Sequence, residues 1–595
     1  MGLQTRIQRE LKFLAGLVRT LLRVRSIGPD STNLACDDIE AAIDKWRERR
    51  AITMGPRTLS YGELDEIANR YAHWAQDHGV HKGDVVALFL PNRLEYLAIW
   101  YGLTKVGVAT ALINNNLTGA QLVHCVEIAA AGHAIVDAET APALRAVQHE
   151  LSRPPVIWTL GAPGGGLRDL TTALKSCSQL RPDRAARAGL TARQTALYIY
   201  TSGTTGMPKA AKINHMRVQL YMRGFAGSTN AKKDDRVYIT LPLYHATGGL
   251  CAMGAALLNG GSVVVRPRFS ASNFWSDINA EGCTMFVYIG ELCRYLVNQP
   301  QQPGETAHKL KLAFGNGLRP EIWETVKTRF RIPEILEFYG STEGNVSLFN
   351  LDGHPGAIGR IPGYARGWFN VRVARFDVET ATVARGAGGL GIEAQPGEIG
   401  ECLGEIHPGV RTEFTGYADR KASETKILHD MFKPGDAWFA TGDLMRQDAE
   451  GYFYFVDRIG DTYRWKGENV STGEVEQALS VLPGVKDASV YGVKVGDLDG
   501  RAGMASLVVG PDFDIAGLAA QVDAVLPAYA RPVFVRLQPE LAVTGTFKHR
   551  KIDMVAQGFD PVAVEGPLYV RDGDKGYARI TPALMAKIAG GTMRL

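Results

Sequence analysis

The sequence predicts a doubly wound α/β protein with a smaller α+β unit behind it, on three observations. Short apolar runs alternate with helical patterns through the first two-thirds of the chain, as strands and helices laid down in turn would. The length, 595 residues, exceeds what one hydrophobic core usually supports, so two or more packed units are expected. After Arg458 the character of the pattern changes, and the remaining stretch of about 130 residues is a reasonable size for one compact domain.

In chain order, strands are expected over 85–90, 134–137, 156–160, 196–200, 237–243, 262–266, 285–289 and 310–314. Helices are expected over 61–78 and 94–106. Glycine-rich stretches at 161–166 and 386–391 read as surface loops. Beyond Arg458, helices over 474–481 and 515–525 accompany strands over 488–495 and 503–509. The expected domains are an N-terminal segment, 1–28, a large domain, 29–459, and a small domain, 460–595.

The first 28 residues carry Arg6, Arg9, Lys12, Arg19, Arg23 and Arg25 against one acid, Glu10. At about 100° per residue, Leu3, Ile7, Leu11, Leu14, Val18, Leu21 and Leu22 fall on one side and Arg9, Lys12, Arg19 and Arg23 opposite. Such a basic amphipathic helix either lies at a membrane surface or packs on its own protein. Arginines interrupt what would be the apolar region of a cleaved signal peptide. Arg6 stands where an N-myristoylation site needs Ser or Thr. No run approaches the ~18 apolar residues of a spanning helix.

Composition narrows the class. With 45% hydrophobic and 22% charged residues the chain is ordinary globular material. A net charge of +4 on this length argues against general nucleic-acid binding. Seven scattered cysteines without a C-x-x-C pair (Cys36, Cys125, Cys177, Cys251, Cys283, Cys293, Cys402) read as buried thiols in a reducing compartment.

The chemistry concentrates between Tyr198 and His215. There a β-forming run empties into a loop with the hydroxyls of Thr201, Ser202, Thr204 and Thr205, the glycines Gly203 and Gly206, and Lys209. Successive backbone N–H groups with interleaved hydroxyls form a concavity for phosphate oxygens, and glycine permits close approach. It is not a Walker A loop, because Gly-Lys-Ser/Thr is missing and Pro208 precedes the lysine. Four segments follow in order: Leu241-Pro-Leu-Tyr-His245, Phe338-Tyr-Gly-Ser-Thr-Glu-Gly344, Ala440-Thr-Gly-Asp443 with Asp457-Arg458, and Thr544-Gly-Thr-Phe-Lys548.

Together these segments resemble the adenylate-forming superfamily, over roughly residues 52–553. Finer details resemble its fatty acid transport protein and very-long-chain acyl-CoA synthetase branch. They are Ala111-Leu-Ile-Asn-Asn-Asn-Leu117, Phe314-Gly-Asn-Gly-Leu-Arg-Pro320, Tyr339-Gly-Ser-Thr-Glu-Gly-Asn345, Gly353-His-Pro-Gly-Ala-Ile-Gly-Arg360 and Tyr463-Arg-Trp-Lys-Gly-Glu-Asn469.

The resemblance implies a fold: doubly wound α/β sheets plus a β-barrel-like subdomain, then a small α+β domain that rotates about a hinge, here Gly460. Many relatives have Asp or Lys at the hinge, so glycine departs from the pattern and eases rotation. It also implies a reaction, the activation of a fatty acid by ATP and Mg²⁺ and its transfer to coenzyme A.

Residue by residue, the implied roles follow the motifs. Thr201, Ser202, Gly203, Thr204, Thr205 and Gly206 embrace the β- and γ-phosphates, with Lys209 beside them. Gly315, Asn316 and Gly317 give the adenine a flat backbone, and Tyr339 stacks on its other face. Gly340, Ser341 and Thr342 complete the nucleotide site, Thr342 at the α-phosphate, and Glu343 holds the metal. Asp443 accepts the ribose hydroxyls, supported by Arg458, and Lys548 meets α-phosphate and carboxylate together. Tyr244, His245, Gly248 and Gly249 border the acyl pocket, where the two glycines leave room for a long tail or simply satisfy packing. Arg464, Lys466 and Gly467 line the coenzyme A path.

Peripheral association with the cytoplasmic face of a membrane, and a homodimer, complete the expected partners. The competing readings are a fatty acid carrier without turnover and a ligase that acylates a carrier protein.

Overall fold

The computed structural model describes residues 3–161, 166–201, 207–377, 380–466, 468–496, 498, 500–543, 549–589 and 593. Two compact units divide the chain, residues 1–371, 404–431 and 435–440 in one and 372–403, 432–434 and 441–595 in the other.

The first unit contains two mostly parallel sheets. One has seven strands in the order Arg168–Asp169, Val156–Leu160, His133–Asp137, Val85–Leu88, Ala109–Leu112, β1 (Thr195–Thr201) and β2 (Lys209–Asn214), with only the β1–β2 pair antiparallel. The other has eight, in the order Ser347–Phe349, β4 (Glu334–Gly340), β3 (Leu312–Asn316), Met285–Ile289, Arg236–Ile239, Ser262–Val265, Arg50–Met54 and Arg57–Ser60. Central strands such as Ser262–Val265 are buried on both faces. That is why they read as continuous apolar runs rather than alternating ones.

The expected strands over 156–160 and 285–289 fall where the pattern puts them. The strand expected over 237–243 ends at Ile239, because Pro242 follows and the chain turns. Residues 162–165 of one expected loop lie outside the described residues, whereas Gly386–Leu390 closes a tight turn, the Gly386 N–H donating to the Leu390 carbonyl at 2.8 Å. All seven cysteines are free and buried.

The second unit holds strands in the order β6 (Tyr452–Arg458), β5 (Ala437–Gln447, from Thr441 on in this unit), Ile399–Glu405 (to Leu403 in this unit), Val371–Asp377 (from Arg372 on) and Thr382–Val383, with β5 antiparallel to β6 and the last two antiparallel to each other. It also holds a five-stranded sheet, Val485–Val493, Ala502–Val509, Phe534–Leu537, Leu568–Arg571 and Tyr577–Arg579. Val490, Met504, Leu507, Phe534 and Val570 form the centre of its core.

The N-terminal segment is helical, α1 (Leu3–Val24), but packs the other way round from an ordinary surface helix. Phe13 and Leu17 are buried, and the charged side faces the protein. Arg9 meets Asp352 at 3.7 Å, Lys12 meets Glu334 at 3.6 Å, Arg23 donates to Asn259 at 2.5 Å, and Arg19 donates to the Gly227 carbonyl of α2 (His215–Ser228). The apolar stripe is left open. Among the described residues no helix is long and apolar enough to cross a membrane.

Candidate active site

In the first unit, the antiparallel turn-back from β1 to β2 sets Thr201 opposite Lys209, so the intervening loop sits at a strand end. Of that loop, Ser202, Gly203, Thr204, Thr205 and Gly206 lie outside the described residues. Lys209 is half-buried, its ammonium 5.4 Å from the ring centre of Tyr417, where a cation–π attraction holds it. The Tyr417 hydroxyl donates to Glu343 Oε1 at 2.7 Å. Burial and the Glu343 charge both push the Tyr417 phenol up, so it stays protonated and donates. Lys209 and Glu343, 134 positions apart in the chain, are thus joined through one aromatic ring.

A second tyrosine holds the motif from behind. From α2, the Tyr221 hydroxyl lies 3.1 Å from the carbonyls of both Ser341 and Thr342. Two tyrosines from distant segments thereby brace residues 341–343, and neither was evident from the sequence. No motif marks them, because their role is contact rather than local pattern.

The expected adenine platform is equally braced. Gly315 is tight because a Cβ there would lie 2.2 Å from the Tyr288 carbonyl, and Gly317 has φ +81°, a left-handed conformation that favours glycine. Beneath them, Glu337 of β4 is fully buried; it accepts from the Leu318 N–H at 2.9 Å and from the Tyr288 hydroxyl. Burial pushes its carboxyl up to about 8. Glu337 then leads directly into Tyr339, Gly340, Ser341, Thr342 and Glu343, so one strand carries brace and motif together. Tyr339 and Asn316 are half-buried, and Gly317 and Gly340 exposed.

At the expected acyl pocket the two glycines are tightly packed in the direction a side chain would take. A Cβ on Gly248 would come within 2.8 Å of the Pro242 carbonyl, and one on Gly249 within 2.1 Å of the Leu243 carbonyl. These glycines seat the π-helical turn Thr247–Ala252 against 241–243, and the space beside them is already filled by backbone. Tyr244 is buried, and His245 is half-buried with its ring 4.6 Å from that of Tyr244.

In the second unit, the pairing of β5 with β6 sets Asp443 directly opposite Arg458, with 3.7 Å between Oδ1 and Nε. The bend before Asp443 is fixed by the Thr441 hydroxyl, which donates to the Cys402 carbonyl at 2.7 Å and accepts the Asp443 N–H at 3.1 Å. Gly460 is exposed, and a Cβ there would meet nothing within 4 Å. Just before it, Asp457 accepts the Thr472 N–H at 2.6 Å at the start of α3 (Thr472–Ser480). Arg464 pairs with Asn469 in a hairpin whose turn contains Lys466 at φ +52°, a conformation uncommon outside Gly, Asn and Asp. Gly467 and Lys548 lie outside the described residues.

The donor set suits a magnesium nucleotide. Glu343 Oε1 is taken by Tyr417, and among the described residues Oε2 has no partner, so one hard carboxylate oxygen stands available beside a lysine.

Fold and site together define an adenylate-forming protein, and the comparisons agree. Residues 39–399 match the family model of the AMP-binding enzymes, and residues 474–548 match that of the AMP-binding enzyme C-terminal domain. The chain is 41% identical to the long-chain fatty acid transport protein 3 of Mus musculus, covering 86% of this chain and 78% of that one. It is 37% identical to the mouse long-chain fatty acid transport protein 1, over 99% and 92% of the two chains. Among solved structures it is similar to ATP-bound MatB from Rhodopseudomonas palustris, with a TM-score of 0.75 at 23% identity over 89% and 100%. A fatty acyl CoA synthetase of Mycobacterium tuberculosis superposes with a TM-score of 0.63 at 22% identity over 89% and 99%. The chain belongs to the AMP-binding family, an AMP-forming acid–thiol ligase superfamily, within the group of the fatty acid transport proteins.

Proposed function

We propose that the protein is a long-chain or very-long-chain fatty acid–CoA ligase that uses ATP and Mg²⁺ and proceeds through an acyl-adenylate. The observation that carries the reading is the Lys209–Tyr417–Glu343 linkage, whose lysine follows a hydroxyl- and glycine-rich stretch in the sequence, within a family of adenylate-forming proteins.

A fatty carboxylate is a poor acylating agent, because its leaving group is a hard oxyanion. Attack of its oxygen on the α-phosphorus of ATP forms the acyl–phosphate bond and breaks the bond to pyrophosphate. Both reactants are anionic, so the site must offset charge and hold the atoms in line. In this reading Thr201 to Gly206 and Lys209 receive the β- and γ-phosphates, Thr342 the α-phosphate, and Glu343 the magnesium. That ion, when bound, neutralises phosphate charge. The 315–317 backbone and Tyr339 hold adenine, and Asp443 with Arg458 holds ribose. Lys548 aligns carboxylate and α-phosphate. The coenzyme A thiolate then attacks the acyl carbon past Arg464, Lys466 and Gly467, and AMP leaves. We place the mobile small domain from Gly460 onward and the reaction at the cytoplasmic face of a membrane, where long fatty acids partition.

The transport named in the mouse relatives is compatible with this chemistry, since conversion to the thioester traps an entering fatty acid. The test is pyrophosphate release from carboxylic acids of graded chain length, with and without coenzyme A. Release that requires a long-chain acid, ATP and Mg²⁺ is expected. Tight binding of palmitate or longer acids without nucleotide turnover overturns the enzyme reading in favour of a carrier.

A further inference from the structure

Ile7, Leu11, Leu14, Val18, Leu21 and Leu22 of α1 are between 38% and 62% exposed, and no charged side chain falls on their stripe. At 1.5 Å per residue the stripe is about 23 Å long. Nothing can be gained by rolling the helix over, because its charged side is already engaged: Arg9 with Asp352, Lys12 with Glu334, Arg23 with Asn259. Glu10, at the border of the stripe, ties α1 to a second element. Its Oε1 takes the Arg360 guanidinium at 2.6 Å and its Oε2 the Tyr364 hydroxyl at 3.1 Å. Tyr364 belongs to the 3₁₀ turn Gly363–Trp368, on which Tyr364 is 57% and Trp368 is 68% exposed. Eight of the seventeen large apolar side chains exposed among the described residues sit on these two elements. Exposure this concentrated marks an interaction surface rather than scattered surface residues.

The chemistry of the border says what covers it. Arg6 on α1 and Arg25 just past its end are exposed, and the one acid on the helix is neutralised by Arg360. A basic border complements anionic headgroups, while tryptophan and tyrosine, apolar in body and polar at one edge, suit the headgroup level. A second copy would bring the same arginines toward one another.

We propose that α1 and the 363–368 turn form one composite docking surface for an anionic phospholipid bilayer, held in fixed orientation on the large domain by the Glu10–Arg360–Tyr364 tie. This rests on the reading that the protein works at a membrane, and assigns the surface that makes the contact.

Sedimentation of the full chain with phosphatidylcholine vesicles, with and without phosphatidylserine, tests it. The variants are the double substitution Leu11→Ser with Val18→Ser, and, on the other element, Trp368→Ser. Each is expected to lower vesicle partitioning about tenfold or more, with melting temperature and turnover of a detergent-dispersed fatty acid unchanged. Wild-type binding is expected to rise with phosphatidylserine. If the wild type sediments with neither vesicle, the membrane reading itself falls. If the wild type sediments and both variants follow it undiminished, this surface is the wrong one. If Trp368→Ser alone binds like wild type, the surface is α1 without the turn, and the composite is overturned. A wild-type dimer in light scattering that the α1 variant dissolves, with vesicle binding intact, would show that a second copy covers the stripe.

Discussion

The hydroxyl that reaches Glu343 Oε1 at 2.7 Å comes from Tyr417, which also lies under the Lys209 ammonium. Removing it as Tyr417→Phe keeps the ring and its cation–π contact but leaves the carboxylate unaimed. A hydrogen bond to a charged group contributes about 1.5–3 kcal/mol, so a loss of roughly 10–100-fold in kcat/KM is expected, with a higher Mg²⁺ requirement. A magnesium titration of pyrophosphate release checks this, and an unchanged requirement would show that Tyr417 only fills space. A second residue-scale prediction concerns Glu337, whose carboxyl is pushed up to about 8 by burial. A group bound to its proton more tightly when folded favours the folded state at low pH. That contribution is present below the ordinary carboxylate range and is lost as pH rises through about 8. The wild-type melting temperature is therefore expected to fall from about pH 5 to above pH 8, and Glu337→Gln, which cannot ionise, should flatten the fall.

Among the elements, α1 changed most between sequence and structure. From the sequence alone, deleting residues 1–27 should lower membrane association and leave turnover intact. The packing adds a cost. Phe13 and Leu17 are buried against the large domain, and Arg9 faces Asp352, whose side chain has no exposure. Deletion opens an apolar surface and strips a buried carboxylate of one of its partners, at a cost of about 3 kcal/mol or more. A melting temperature lowered by several degrees is expected for the deletion, in contrast to the unaltered melting of the surface variants. A deletion variant that melts like the full chain would mean that α1 is not docked in solution. The amphipathic pattern predicted the helix correctly, but it could not say which side would be covered. Partners such as Asp352, Glu334 and Asn259 lie more than 230 positions away.

For the whole molecule, the proposed rotation about Gly460 separates the two half-reactions. Lys548→Ala removes a charge from the step that joins carboxylate and phosphate, and is expected to slow adenylation by ~10²–10³ while sparing thioester formation from preformed acyl-adenylate. Gly460→Pro fixes φ near −65° and should bias the loss toward the second step. The open space around Gly460 lets other residues fit this one conformer, so glycine there is explained by the second conformer or not at all. Each variant is measured in both half-reactions. Equal losses in both for Lys548→Ala would make that lysine structural.

The sequence by itself determined the layered α/β architecture, since strands buried on both faces must be written as apolar runs, and 156–160 and 285–289 were read to the residue. It also marked the candidate nucleotide motifs, because the hydroxyl- and glycine-rich loop and the Ser-Thr-Glu-Gly segment are local in the chain. What it left to tertiary structure were properties of residues distant in sequence. Tyr417 and Tyr221 reach the motif across 74 and 120 positions, and no local pattern encodes such a contact. That Gly248 and Gly249 must lack a side chain follows from the carbonyls of Pro242 and Leu243, which only the tertiary structure brings against them. The outward face of α1 was decided by partners on the large domain. Periodicity fixes which residues share a side of a helix; only packing decides which side meets the protein.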